Sequence, residues 1–186
     1  MTRSPDITTS TELPPPPWPF PDLPDSLRFL EDIDRVHDAS ELVTIARRIV
    51  ESCAWRDYVV ENHEFRDYRL IFENEFTDIW ALSWLPGQTT GFHDHDASEV
   101  GICVARGAVR EWHPVHEAPP LDHVIAEGAT QEGPLGYIHQ VAHEYGDPAV
   151  TIHAYSPPLV RVGQYRERDG RMIRLPEPGR TRLTPS

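Results

Sequence analysis

From Arg66 to Arg166 glycine and proline cut the chain into short β-rich runs, and no stretch with a helical apolar period interrupts them. Strands are expected near Tyr68–Glu73, Thr77–Leu85, Phe92–His95, Val100–Ala105, Ala108–His113, Val124–Glu127, His139–Ala142, Val150–Ser156 and Leu159–Arg166. The breaks fall at Pro86-Gly87, Arg106-Gly107, Gly133-Pro134 and Pro157-Pro158. Many short strands with no helices between them bury their apolar faces by packing sheet on sheet or by closing on themselves. The expected fold is therefore mainly β, a sandwich or small barrel.

Two helices precede it. Ser26 is placed to cap one through about His37, with Leu27, Leu30, Ile33 and Val36 on one stripe. Ser40 is placed to cap the next, with Leu42, Val43, Ile45, Ala46, Ile49 and Val50 as its apolar face and Cys53 packing near its end. Residues 1–25 read as an arm, polar and then proline-rich at Pro14-Pro-Pro-Pro17-Trp18-Pro19-Phe20-Pro21, a run that favours an extended conformation. Docking of Trp18 or Phe20 onto the domain is favoured over use of the arm as a ligand for an aromatic groove. Residues 26–166 form the domain, and the charged tail 167–186 is expected to wrap the surface or fray.

Composition narrows the partners. Seventeen basic against thirty acidic residues give −13, which works against nucleic acid and anionic membranes. No apolar run approaches a membrane span, and the N-terminus lacks a basic-then-apolar leader pattern. Two cysteines, Cys53 and Cys103, are too few for a disulfide framework or a thiolate zinc site. A cytoplasmic location is the simplest expectation, with a monomer favoured.

The chemistry centres on Gly87-Gln-Thr-Thr-Gly-Phe-His93-Asp-His95-Asp-Ala-Ser-Glu99. On a strand, residues two apart share a face, so His93 and His95 project into one space, as a borderline divalent metal requires. Alone, His-x-His is a weak signal. A second stretch strengthens it, Gly128 followed by Pro134, Gly136, His139 and His143. Together the two resemble the paired motifs of the cupin superfamily. Gly87, His93, His95, Glu99 and Gly107 match the first, with Gly107 one residue late; Gly128, Pro134, Gly136 and His139 match the second, with His143 where Asn is usual.

A closer resemblance, to the cysteine dioxygenase family, appears at Thr151-Ile-His153-Ala-Tyr155-Ser156-Pro157-Pro158, where the family carries Ser-x-His-x-Tyr-Ser-Pro-Pro. Trp84 also lies the family's distance before the first ligand histidine. The resemblance covers roughly Tyr68 to Tyr165. It implies a cupin barrel or jelly roll, with ferrous iron held by His93, His95 and His139. It also implies a small thiol substrate and O2, both oxygen atoms going to the sulfur of L-cysteine or of a relative such as 3-mercaptopropionate. Thr151, His153 and Tyr155 would form a hydrogen-bond chain beside the metal. An arginine on an early strand would grip the substrate carboxylate, Arg69 first and Arg66 second. The Ser-Pro bond of this motif is often cis in the family, which would fit Ser156-Pro157.

Two departures matter. Where some members carry a cysteine linked to the tyrosine, this chain has Val100, so no thioether is expected and Cys103 packs in its strand. Straight alternation from His95 would turn Glu99 inward and make a three-His, one-Glu site of another dioxygenase class. A bulge, which family register favours, would turn it out. His113, His116 and His123 are expected to be solvated, His37 and His63 lie near helix ends, and His143 ranks behind His139 as a ligand. Besides the thiol dioxygenase, the three-His, one-Glu enzyme and a non-catalytic metal or small-molecule sensor remain as readings.

Overall fold

The computed structural model describes residues 23–64 and 66–176. The proline-rich run, with Trp18 and Phe20, lies outside the described residues, as does the end of the tail. The N-terminal helices depart from expectation in detail. The first is a 3-10 helix, Asp25–Asp32, that follows Pro24 without a side-chain cap. It buries Leu27 and Leu30, but the chain turns extended at Ile33, so Val36 leaves the stripe and is exposed. The second, α1 (Ala39–Ser52), is capped by Asp38 rather than Ser40. Asp38 accepts from the Glu41 amide at 2.9 Å and Glu41 accepts from the Asp38 amide at 3.2 Å, a reciprocal pair that satisfies two orphan donors. Cys53 ends α1 in a left-handed conformation and is exposed, so it does not pack as expected.

Nine strands follow among the described residues: β1 (Tyr68–Glu73), β2 (Asp78–Trp84), β3 (Phe92–Asp94), β4 (Glu99–Val115), β5 (Ala118–Ala126), β6 (Thr130–Gly133), β7 (Gln140–Ser156), β8 (Gly163–Arg168) and β9 (Arg171–Arg174). Two pairs of expected strands are fused. β4 and β7 are single long antiparallel partners whose register shifts around Arg106, Ala108 and Val109. The Arg106-Gly107 signal marks a bulge that bends a strand, not a break between two. The polar strands β6 and β9 escaped the sequence reading. β9 also turns part of the expected fraying tail into a hairpin with β8.

One sheet runs β1-β2-β7-β4-β5 with β6 on β4, and a smaller one runs β3-β8-β9. Isolated bridges Thr89–Ala142 and His93–His139 tie the chain at and just before β3 to the chain at and just before β7. Alternation sorts the side chains into two cores. Ile79, Ala81, Cys103 and Ile152 face Leu42, Ala46 and Ile49 of α1. Trp80, Trp84, Val100, Val109, Ile125 and Val141 fill the opposite, inner face. A Cβ on Gly101 would lie 2.2–2.3 Å from backbone atoms of Leu42 and Val43, so glycine is what lets α1 approach β4. The architecture is the expected one, mainly β with helices packed on the outside. No described helix is long and apolar enough to cross a membrane.

Candidate metal centre

Three imidazoles from two distant segments meet at one end of the inner face. His93 and His139 exchange backbone hydrogen bonds, His93 N to His139 O at 2.9 Å and His139 N to His93 O at 3.0 Å. Such a pair puts both side chains on one side of the ladder. His95 follows two residues on from His93, and a turn then begins, with Ser98 N on His95 O at 3.0 Å and Asp96 at φ 52°. Asp94, between the histidines, points the other way. Its carboxylate accepts from Gly163 N at 3.0 Å and from the Tyr165 hydroxyl at 2.6 Å, bracing β3 on β8.

The Nε2 atom of His139 lies 3.2 Å from that of His93 and 3.3 Å from that of His95. Imidazoles bound to one ion at about 2.0–2.1 Å have nitrogens about 2.9 Å apart at a right angle and about 3.4 Å apart at the tetrahedral angle. The spacing fits a single transition-metal ion. Two of the rings are also fixed from behind. His93 Nδ1 faces Gly91 O at 3.0 Å, and His139 Nδ1 faces Glu111 Oε1 at 2.5 Å. A proton on each Nδ1 leaves the Nε2 lone pair for the ion. Burial, reinforced by the neighbouring His139 imidazole, holds His93 and His95 well below the usual imidazole value, so both are neutral donors.

Glu111 was not singled out from the sequence. It is fully buried, and also accepts from the Tyr137 hydroxyl at 3.0 Å. Burial pushes its carboxyl upward, but the hydrogen bond from His139 and the nearness of the His139 and His113 imidazoles outweigh it and leave the group below the usual range. The available signal was an acid alternating in step with apolar Val109 on a strand that closes a barrel.

Beside the histidines runs a buried chain. Trp84 Nε1 donates to Thr151 Oγ1 at 2.9 Å, Thr151 Oγ1 meets His153 Nε2 at 3.0 Å, and His153 Nδ1 meets the Tyr155 hydroxyl at 3.1 Å. An indole can only donate, and burial holds His153 well below its usual value, hence neutral. The assignment that gives every proton one acceptor runs from Trp84 to Thr151 to His153 to the Tyr155 oxygen. The phenolic proton is then left for a further acceptor. Burial, with the charge of Asp78, pushes Tyr155 up, so it keeps that proton. Its ring centre is 5.3 Å from that of His95. Val100 is its cross-strand neighbour, while Cys103 belongs to the helix-side core. The Ser156-Pro157 bond is cis, and so is Asp147-Pro148.

Arg69 does not join this assembly. It pairs in register with helix-side Ala81, and its guanidinium bonds Asp67 at 2.9 and 3.3 Å. The alternate, Arg66, lies with its guanidinium carbon 4.7 Å from the centre of the Trp84 ring, and its charge lowers His93 and His153. Glu99 is turned out as well, accepting from Ala39 N at 2.7 Å at the start of α1. His143 faces Gly146 O at 2.6 Å, apart from the three imidazoles. His116 is exposed as expected, but His113 and His123 are not simply solvated, because both face Glu111.

A family model described as cysteine dioxygenase type I matches residues 25–168. No curated protein matches the chain. Among solved structures, a protein of Thermus thermophilus is similar at 24% identity, covering 55% of this chain and 93% of that one with a TM-score of 0.48. A double-stranded β-helix protein of Klebsiella pneumoniae is 15% identical over 56% and 87%, TM-score 0.49. An RmlC-like cupin of Desulfovibrio desulfuricans is 20% identical over 54% and 90%, TM-score 0.45.

Proposed function

Since the chain belongs to the cysteine dioxygenase type I family, we propose that it is an iron-dependent thiol dioxygenase acting on L-cysteine or a similar small carboxylated thiol such as 3-mercaptopropionate. The reaction adds both atoms of one O2 to the thiol sulfur and yields the sulfinic acid, so it balances without a further reductant. The observation that carries the reading is the convergence of three imidazole Nε2 atoms beside a phenol oriented by its own hydrogen-bond chain.

His93, His95 and His139 would hold ferrous iron, which when bound would supply the redox chemistry that lets O2 react with the thiol sulfur. Three neutral ligands add no negative charge, and Glu99, committed to the helix start, does not alter that count. Tyr155 presents its proton to the reacting oxygen or the substrate, and His153 holds the phenol in that orientation. Thr151 and Trp84 fix the imidazole tautomer. Arg66 takes the carboxylate-binding role in place of Arg69, its guanidinium lying against the ring of Trp84, whose indole bonds Thr151. The apolar inner face keeps bulk water from the sulfur.

The test is O2 consumption by the ferrous-loaded chain over a panel of small thiols, with product identified by mass spectrometry. Uptake matched mole for mole by a sulfinate supports the reading. Metal binding with no uptake for any thiol leaves the sensor in its place.

A further inference from the structure

We propose that Glu111, His113 and His123 form a second divalent-metal site, joined to the three-histidine centre through the Glu111 carboxylate. The backbone sets the three on one face. Glu111 and His113 alternate along β4, and His123 on β5 is the direct cross-strand partner of Glu111. Glu111 Oε2 lies 3.0 Å from His113 Nε2 and 3.4 Å from His123 Nε2, and one ligand atom from each residue falls within 4.8 Å of the others. The two imidazoles are stacked, 5.6 Å between centres and 14° between planes, so both nitrogens address the same oxygen.

The division of labour at Glu111 points the same way. Its Oε1 takes His139 and the Tyr137 hydroxyl, which leaves Oε2 for the histidine pair. A buried carboxylate needs a counter-charge, and its partners here are imidazoles and a phenol. Two imidazole nitrogens and one carboxylate oxygen suit zinc or ferrous iron, with remaining positions open to water. The half-exposed His123 side chain provides a way in.

The shared carboxylate makes the two sites interact. A cation on Oε2 draws charge from Oε1 and weakens its hold on the His139 Nδ1 proton, so each metal lowers the affinity for the other. The site does not depend on what the first centre oxidises.

The experiment titrates the chelator-stripped full chain with Co2+ and counts bound metal by mass spectrometry after dialysis. Two equivalents are expected for the wild type, one for His123→Ala, one for His93→Ala and close to none for the double variant. His113→Gln should lose the same equivalent as His123→Ala, and circular dichroism confirms that each variant is folded. A single equivalent in the wild type, or two in folded His123→Ala, overturns the proposal.

Discussion

His93 and His139 are bonded to each other through their backbones at 2.9 and 3.0 Å, and their Nε2 atoms stand 3.2 Å apart. The bridge fastens the small sheet to the large one at the point where the ligands meet. Two of the three ligands are thus placed by the same backbone bridge that joins the segments carrying them.

Glu111 holds Nδ1 of His139, the ring nitrogen that does not face His93 and His95. In a His123→Ala background, where only the first centre is read, Glu111→Gln should weaken Co2+ binding about 10- to 100-fold, the range for a lost carboxylate behind a ligand histidine. Isothermal titration measures it; unchanged affinity would mean that the 2.5 Å contact orients nothing.

Removing the phenol with Tyr155→Phe should lower kcat about a hundredfold, as for loss of a positioned proton donor, with KM nearly constant. Thr151→Val breaks the chain further back. It should lower kcat less but also cost about 1–3 kcal/mol of stability, because the Trp84 indole loses its acceptor inside the core. Denaturant unfolding beside steady-state kinetics separates the two effects. Equal kcat in all three proteins would remove the relay from the mechanism.

Arg66→Ala should raise KM for cysteine roughly 10- to 150-fold, corresponding to a charge-assisted pair of about 1.5–3 kcal/mol. Arg69→Ala should leave KM alone, since that side chain is bonded to Asp67 on the far side of β1. Cysteamine, which lacks a carboxylate, should be insensitive to Arg66→Ala. The reverse pattern would return the role to Arg69.

His93, His95 and His153 are all held below the ordinary imidazole value, mainly by burial. The unfolded chain therefore binds protons that the metal-free native state refuses. Stability should be fully present above pH about 6.5 and decline as the pH falls from there toward the depressed native values. Thermal melts of stripped protein between pH 7.5 and 5 check the sign, and a melting temperature that rises on acidification would contradict it.

Much of the site was legible in the sequence because strand geometry is simple. His-x-His and Thr151-x-His153-x-Tyr155 need only a period of two to share a face, and the structure brings each set together. Arg69 shows where that rule stops. It lies in a clean strand, but which face looks inward is a tertiary fact, and the neighbours Tyr68 and Leu70 took that face. Glu111, His113 and His123 were missed because their meeting depends on the β4–β5 register, which no local pattern states. The fused strands β4 and β7 were cut in two because a glycine in a bulge carries the same signature as a glycine in a turn.

The most direct measurement is the fate of labelled oxygen. Ferrous-loaded protein given cysteine under 18O2 should yield cysteine sulfinate carrying two labelled atoms, one mole per mole of O2, and His139→Ala should yield none. Oxygen uptake that ends only in disulfide, or a sulfinate labelled from water, would contradict the account.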